Sequence, residues 1–348
     1  MDVPYFRYDR HVFLPGPGMW LDSTQPRDLA FISHAHSDHT ARHRRVLLTE
    51  STWLMYQHRT GSGRRSAPAG GGAVARRSLP PSQPITLDFH TPHVLGGHEL
   101  ELLPSGHVLG AAQLSITFGD GARLVYTGDF KLRPGPTAEA AQVPRCDVLV
   151  METTFGHPRY RFPPPDQVRE QLVTVITRCL ENGRVPVVLA YSLGKAQEAT
   201  RLLTDHGFRV AAHPAVAAIN RLYEQRGTAL GPWEPLGRRI EAGAVLVAPP
   251  DARHGWQFSR LQADQHLHTI MLTGWAIDSS ACYRYRVDDV VPLSDHADWD
   301  ELVQYVEQAQ PRAVYTLHGF PEFASYLRSR GIEATHLPPH QPPLMDSW

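Results

Sequence analysis

The stretch FISHAHSDHTARH, residues 31–43, crowds His34, His36, Asp38 and His39 into six positions directly after an apolar run. Imidazoles and carboxylates at this density suit metal ligation. His34 and His36 alternate and so point the same way from an extended turn. Asp38 and His39, expected to begin a helical segment, face a neighbouring point, which gives two adjacent metal positions. Nitrogen ligands with a carboxylate suit Zn2+, with Mn2+ the alternative where oxygen ligands are more numerous. Each position needs further ligands, and His107, Asp129 and His318 are the obvious suppliers, Asp129 of TGDF being able to bridge. Two ions about 3.5–4 Å apart hold a hydroxide and clamp the attacking and leaving oxygens of a phosphoester in line. Phosphodiester hydrolysis demands on the order of 20 kcal/mol of barrier lowering. A general acid supplies ~10²–10⁴-fold, so cations are wanted for most of the rest.

These residues need elements to hold them, and most follow a short apolar run. MW leads to Asp22, LAFIS to His34, LELLPS to His107, RLVYTG to Asp129, DVLVM to Glu152, VVPLSD to His296 and AVYTL to His318. Read as strands, these runs place seven functional groups at strand carboxyl ends, the rim where layered α/β proteins bind ligands. Any one of the 20 histidines taken singly is more often a surface or core residue; the repetition is what argues for a site. From about Pro158 to Ile277 the pattern changes to strand, glycine, helix, as in VPVVLAYSLGKAQEATRLLTDHG, which reads as βα units of a parallel sheet. The Pro-rich HPRYRFPPPD marks the crossing into this segment, and the return of strand-end histidines at His296 and His318 makes it an insertion within a metal domain.

Composition sets the frame. The 348 residues, 42% apolar and 20% charged, are ordinary for a globular protein, and no apolar run approaches the ~18 residues of a membrane span. Cys146, Cys179 and Cys282 are odd in number and far apart, which fits a reducing compartment better than a disulfide framework. With no secretion signal read at the opening, a cytoplasmic location is expected. Net charge is -1, but residues 40–77 hold eight arginines against Glu50 alone, a patch that favours a phosphate backbone. Residues 61–84 of that region read as a basic Gly/Pro/Ser-rich loop.

With HxHxDH followed by His107, Asp129 and His318, the chain resembles the metallo-β-lactamase superfamily. ETTFG, SDHAD and LHG are similar to the three additional motifs of its β-CASP nucleases, and AYSLGKAQE to the helix-opening motif of their inserted domain. Through SGHVLGAAQ, TGDFKLRP, VAPP and TGW it looks most like bacterial ligase-associated DNA exonucleases, also described as messenger RNA 3′-end processing factors. This likeness implies an αββα sandwich of residues 1–157 and 286–348 carrying an inserted parallel-sheet α/β domain at 158–285. It also implies two divalent ions, zinc foremost, one on His34, His36 and His107, the other on Asp38, His39 and His318, with Asp129 between them. Asp38, His296, Glu152 and Asp22 are implied in catalysis, His296 protonating the leaving oxygen or steadying the phosphate and Asp22 supporting the ligands from behind. DNA is the implied substrate, with 5′-to-3′ digestion of single-stranded ends in repair, an ATP-dependent DNA ligase and a helicase as functional associates, and no membrane. RNA stays open, because a histidine at position 318 resembles the RNA-processing branch.

Nucleic-acid contacts are expected from Ser192, Lys195 and Gln197, which open a helix whose free amides suit a phosphate. Trp275 could stack on a base or pack at the domain junction, and Arg44 and Arg45 are expected on a phosphate-facing helix surface. Asp298 either orients His296 or caps the following helix. Two other classes fit the HxHxDH signature alone: a thioester or lactone hydrolase, and a nucleic-acid scaffold with a vestigial site. The inserted βα segment with SDHAD argues against the first, and the full ligand set against the second.

Overall fold

A computed structural model describes residues 2–61 and 82–338. The chain begins with a seven-stranded sheet in sequential order: β1 (Asp2–Val3), β2 (Phe6–Asp9), β3 (His11–Leu14), β4 (Met19–Leu21), β5 (Leu29–Phe31), β6 (Arg45–Leu48) and β7 (Gln83–Thr86). The hairpins are antiparallel up to β4 and the pairing is parallel from β4 to β7. Exposed and buried residues alternate in β2, which has one face on the core and one on solvent, while all three residues of β5 are buried because both of its faces are covered. Helix α1 (Glu50–Gly61) covers the outer face.

A second sheet opens with β8 (His93–Leu95), β9 (His98–Pro104), β10 (Ala112–Thr117), β11 (Arg123–Tyr126) and β12 (Val148–Glu152). The two sheets bury Phe6, Leu14, Met19 and Phe31 against Leu100, Leu114, Tyr126 and Val150. After β12 the chain leaves the sandwich. Helix α2 (Pro165–Glu181), with Pro165 at its first position where no amide is needed, leads into a third sheet of six parallel strands. These are β13 (Val185–Leu189), β14 (Arg209–Ala212), β15 (Trp233–Pro235), β16 (Ala244–Ala248), β17 (Leu267–Leu272) and β18 (Asp289–Val291), arranged β15-β14-β16-β13-β17-β18. VPVVL and AVLVA are unbroken apolar runs because both faces of the sheet are covered. Helices α3 (Lys195–Asp205) and α4 (Pro214–Gln225) pack with α2 on one side, α5 (Trp256–Asp264) and α6 (Ala281–Tyr285) on the other.

The chain then returns. Helix α7 (Trp299–Ala309) opens on a capping box, Asp298 accepting from the Glu301 amide and the Glu301 carboxylate from the Asp298 amide. Strand β19 (Ala313–Leu317) inserts beside β12, and after α8 (Glu322–Ser329) β20 (Glu333–His336) forms the edge. Helices α7 and α8 cover the outer face of the second sheet through Leu302, Tyr305 and Phe323. The outcome is an αββα sandwich with a parallel-sheet insertion, as the sequence motifs imply.

Three local expectations are corrected. The residues after His36 form a single 3-10 turn, Ser37–His39, rather than the start of a longer helix, and extended backbone follows at Thr40. Strand β18 still pairs with β17, so the third sheet extends past the expected limit at 285. Gly61 ends α1 and Gln83 already belongs to β7, so the expected 61–84 loop is bounded more tightly; residues 62–81 lie outside those described.

Candidate metal centre

Seven groups come to one rim because each follows, or ends, a strand of the sandwich or of the third sheet. Asp22 follows β4, His34 β5, His107 β9, Asp129 β11, His296 β18 and His318 β19, and Glu152 is the last residue of β12. Tight turns make this convergence feasible. His318 adopts φ 58 and Gly319 φ 61, and a Cβ at Gly319 would meet the Thr153 carbonyl oxygen at 1.8 Å.

His34 Nε2 lies 2.9 Å from His36 Nδ1, which lies 3.1 Å from His107 Nε2. The outer nitrogens of these rings fix their protonation. His36 Nε2 meets the Leu193 carbonyl at 3.1 Å and His107 Nδ1 the Asp295 carbonyl at 2.7 Å, and a carbonyl only accepts, so both outer nitrogens carry hydrogen. Ser33 Oγ donates to Asp22 Oδ2 at 2.6 Å and therefore accepts from His34 Nδ1 at 3.0 Å. The three inner nitrogens are thus bare lone pairs aimed at one point. That contact is repulsive unless a cation is shared, and its spacing approaches the ~3.3 Å edge of a tetrahedron with ~2.0–2.1 Å metal–nitrogen bonds. Asp129 Oδ2 completes the group, 3.5 Å from His34 Nε2 and 3.8 Å from His107 Nε2. Burial, followed by neighbouring imidazoles, holds His34 well below its ordinary value, His36 at about 4 and His107 lower than usual. All three are neutral, as ligands must be.

A second set of donors borders Asp129. His39 Nε2 is 3.2 Å from Asp129 Oδ2 and 4.0 Å from Asp38 Oδ2, and the His39 and His318 rings are 5.9 Å apart. Burial opposes a charge on His39, but Asp129, Asp22 and Asp38 outweigh it and raise its pKa well above the usual range. Asp129 is driven the other way: its burial is outweighed chiefly by His39 and His296, and its carboxyl stays well below the ordinary range. At this rim Asp22 sits behind the cluster, against the outer nitrogen of His39. It accepts from the Ser33 amide and hydroxyl, Tyr126 hydroxyl and His39 Nδ1, at 2.6–3.0 Å, so its part is to orient His39 and the turn after β5.

His296 stands beside this cluster, its Nδ1 3.0 Å from Glu152 Oε1 and 4.0 Å from Asp129 Oδ2. Glu152 is itself held by the Phe130 amide and the Thr154 hydroxyl. Burial penalises the imidazolium, but the Glu152 and Asp129 charges prevail and push it to about 10. A small pocket opens next to His296, lined also by Lys131, Arg133, Phe162 and Ser294.

The expected nucleic-acid contacts fare differently. Lys195 is buried and paired with Asp295 at 3.0 Å, so its ammonium is not free for a phosphate. Gln197 is fully buried, accepting from the Gly194 amide and donating to the Ser192 carbonyl and Asn220. Ser192 stays half-exposed. Trp275 packs at the domain junction, its ring 4.6 Å from Phe155 and 5.2 Å from Tyr160. Arg44 and Arg45 both bind Asp28, at 2.9 and 3.0 Å, and Arg45 begins β6 at the amino end, opposite the rim, with no helix there. Asp298 caps α7 and accepts from Arg133 and the Phe162 amide, so it belongs to the helix. Sequence reasoning missed Ser33, Tyr126 and the carbonyls of Leu193 and Asp295. For the hydroxyls, proximity to motif residues was a usable signal; a backbone carbonyl leaves none.

The Beta-lactamase superfamily domain matches residues 6–206, more than half of the chain, and the Zn-dependent metallo-hydrolase RNA specificity domain matches residues 283–342. The chain belongs to the metallo-β-lactamase superfamily, in its β-CASP group. This metallo-β-lactamase chain is 38% identical over 329 residues to a probable DNA ligase of Opitutus terrae, covering 94% of the chain but 30% of that relative. It is 29% identical over 218 residues to the endoribonuclease ysh1 of Aspergillus fumigatus, covering 56% of the chain and 24% of the relative. It is 26% identical over 303 residues to the transcription termination factor FttA of Pyrococcus abyssi, covering 68% of the chain and 47% of the relative. The chain therefore spans less than half the length of each. A protein of unknown function from Enterococcus faecalis shares the fold at 15% identity, with a TM-score of 0.59 over 90% of the chain and 79% of that protein.

Proposed function

We propose that the chain is a metal-dependent nuclease, a two-metal phosphodiesterase that trims DNA ends. His34, His36 and His107 would hold one divalent ion, Asp38, His39 and His318 the other, with Asp129 shared. The trio of bare imidazole nitrogens at 2.9 and 3.1 Å, facing Asp129, carries this reading. Divalent ions there, zinc fitting this donor set best, would supply charge neutralisation and activate a water at neutral pH. The remaining work falls to the chain. Glu152 holds His296 by Nδ1, so its Nε2 is the atom that donates a proton to the departing oxygen, a step worth ~10²–10⁴-fold. Asp22 orients His39 without touching substrate.

DNA is favoured by the relative named a probable DNA ligase, which aligns with 94% of this chain; an ATP-dependent ligase and a helicase are the proposed associates. Single-stranded ends and 5′-to-3′ polarity rest on the motif resemblance, and a cytoplasmic setting on the three scattered cysteines; among the described residues no helix is long and apolar enough to cross a membrane. We take the sandwich as the metal-binding domain and residues 158–291 as the inserted unit. RNA processing is the second reading, favoured by the RNA specificity domain over residues 283–342 and by the relatives named endoribonuclease and termination factor.

Purified protein given 5′- and 3′-labelled single-stranded DNA and RNA, with Zn2+, Mn2+ or Mg2+, decides between them. Stepwise shortening of DNA from the 5′ end, lost in His107→Ala, is expected. Digestion of RNA with DNA untouched would overturn the DNA assignment, and hydrolysis of a thioester without nuclease activity would overturn the nuclease reading altogether.

A further inference from the structure

Two of the three converging imidazoles take their outer hydrogen bond from the inserted unit or from a loop that it grips. His36 Nε2 donates to the Leu193 carbonyl, in the turn that opens α3. His107 Nδ1 donates to the Asp295 carbonyl, and the Asp295 carboxylate pairs with Lys195, the first residue of α3, at 3.0 Å. Lys195 and Asp295 are only 4% and 3% exposed, so this pair is removed from solvent. Between Leu193 and Lys195 lies Gly194, with φ +89, where a Cβ would meet Val108 Cγ1 at 2.3 Å; the turn approaches the His107 loop as closely as a backbone can. One turn further on, Glu198 pairs with Lys131 at 3.3 Å, two residues after Asp129.

A buried ion pair adds little net stability compared with apolar residues of the same volume, so its placement invites another role. We propose that Lys195 is a positioning residue for the metal centre: its ion pair fixes Asp295, whose carbonyl sets the tautomer and direction of His107, while the same turn of α3 sets His36 through Leu193. Docking of the inserted unit and metal affinity are then one coupled equilibrium. Outer partners of this kind typically change metal affinity by 10–100-fold. The inference rests on the reading of the cluster as a metal centre.

The test titrates Zn2+ into the metal-free full chain against a chelator of known affinity, with urea denaturation in parallel. The double variant K195M/D295N removes both charges of the pair, whereas Lys195→Met alone leaves the buried Asp295 carboxylate without its ammonium partner. Leu261→Ala, which opens a cavity on the α5 side of the third sheet, serves as a loss of stability with no link to the ligands. Zinc affinity should fall about 10–100-fold in K195M/D295N and stay at the wild-type value in Leu261→Ala. Affinity in the double variant within twofold of wild type, or an equal fall in Leu261→Ala, would overturn the inference alone. A wild-type chain that takes up no zinc would overturn the metal-centre reading and this inference with it.

Discussion

Asp22→Asn is the most informative small change, because it alters one charge and hardly any volume. Asp22 Oδ1 accepts from the Ser33 amide, while Oδ2 accepts from the Ser33 hydroxyl, the Tyr126 hydroxyl and His39 Nδ1, at 2.6, 2.9 and 3.0 Å. An asparagine can keep the amide bond on its carbonyl oxygen, which sets its NH2 against the other three donors. The two hydroxyls can rotate to accept. His39 can accept only by losing its Nδ1 proton while keeping one on Nε2, the nitrogen that faces Asp129 at 3.2 Å, and a protonated Nε2 cannot ligate. Charge-assisted hydrogen bonds contribute roughly 1.5–3 kcal/mol each; with partial rescue by the hydroxyls, the net cost should be about 2–4 kcal/mol. The tautomer change should weaken metal binding at the proposed Asp38–His39–His318 position by roughly 10–100-fold. Urea denaturation of the metal-free protein reads the first quantity and chelator competition the second. A variant with unchanged stability and two equally tight metals would refute the tautomer argument.

Other outcomes follow from the same geometry. Without metal, the raised His39 pKa means a proton must leave before a cation enters, so chelator competition should show affinity increasing with pH above the usual imidazole value of 6.5. The same imidazolium stabilises the metal-free fold fully below 6.5 and less as pH rises through its elevated value, so melting of the metal-free protein should fall on the alkaline side. Gly194→Ala forces a Cβ into Val108 at a positive φ and should cost roughly 1–3 kcal/mol in denaturation, with reduced metal affinity. Replacing Arg44 and Arg45 together by Gln should leave both melting temperature and DNA affinity unchanged, since both side chains are exposed and paired with Asp28 away from the rim; a clear loss of DNA binding would restore them to the substrate surface.

The sandwich was legible because each metal-facing group follows a run of consecutive apolar residues, and such runs mark strands buried on both faces. The parallel insertion was legible for the same reason, in VPVVL and AVLVA. What the sequence concealed was direction and partnership. Lys195 and Gln197 sit at the start of a helix, where a phosphate contact is the natural reading; only the fold shows the Asp295 carboxylate and the Asn220 amide waiting for them, 100 and 23 residues away. Arg44 and Arg45 lie near the histidine cluster in sequence, yet β6 carries them to the opposite rim. The carbonyls of Leu193 and Asp295 fix two ligand tautomers through the backbone, and side-chain identity carries no trace of that.

The central claim is that cations held around Asp129 drive phosphodiester cleavage. Titrating Zn2+ or Mn2+ into metal-free protein while following single-turnover cleavage of labelled single-stranded DNA tests it directly, with Asp129→Ala alongside. Cleavage should be absent at the start, saturate near two ions per chain, and fail to appear in Asp129→Ala at any metal concentration. Full cleavage without added metal, or an undiminished rate in Asp129→Ala, would contradict the account.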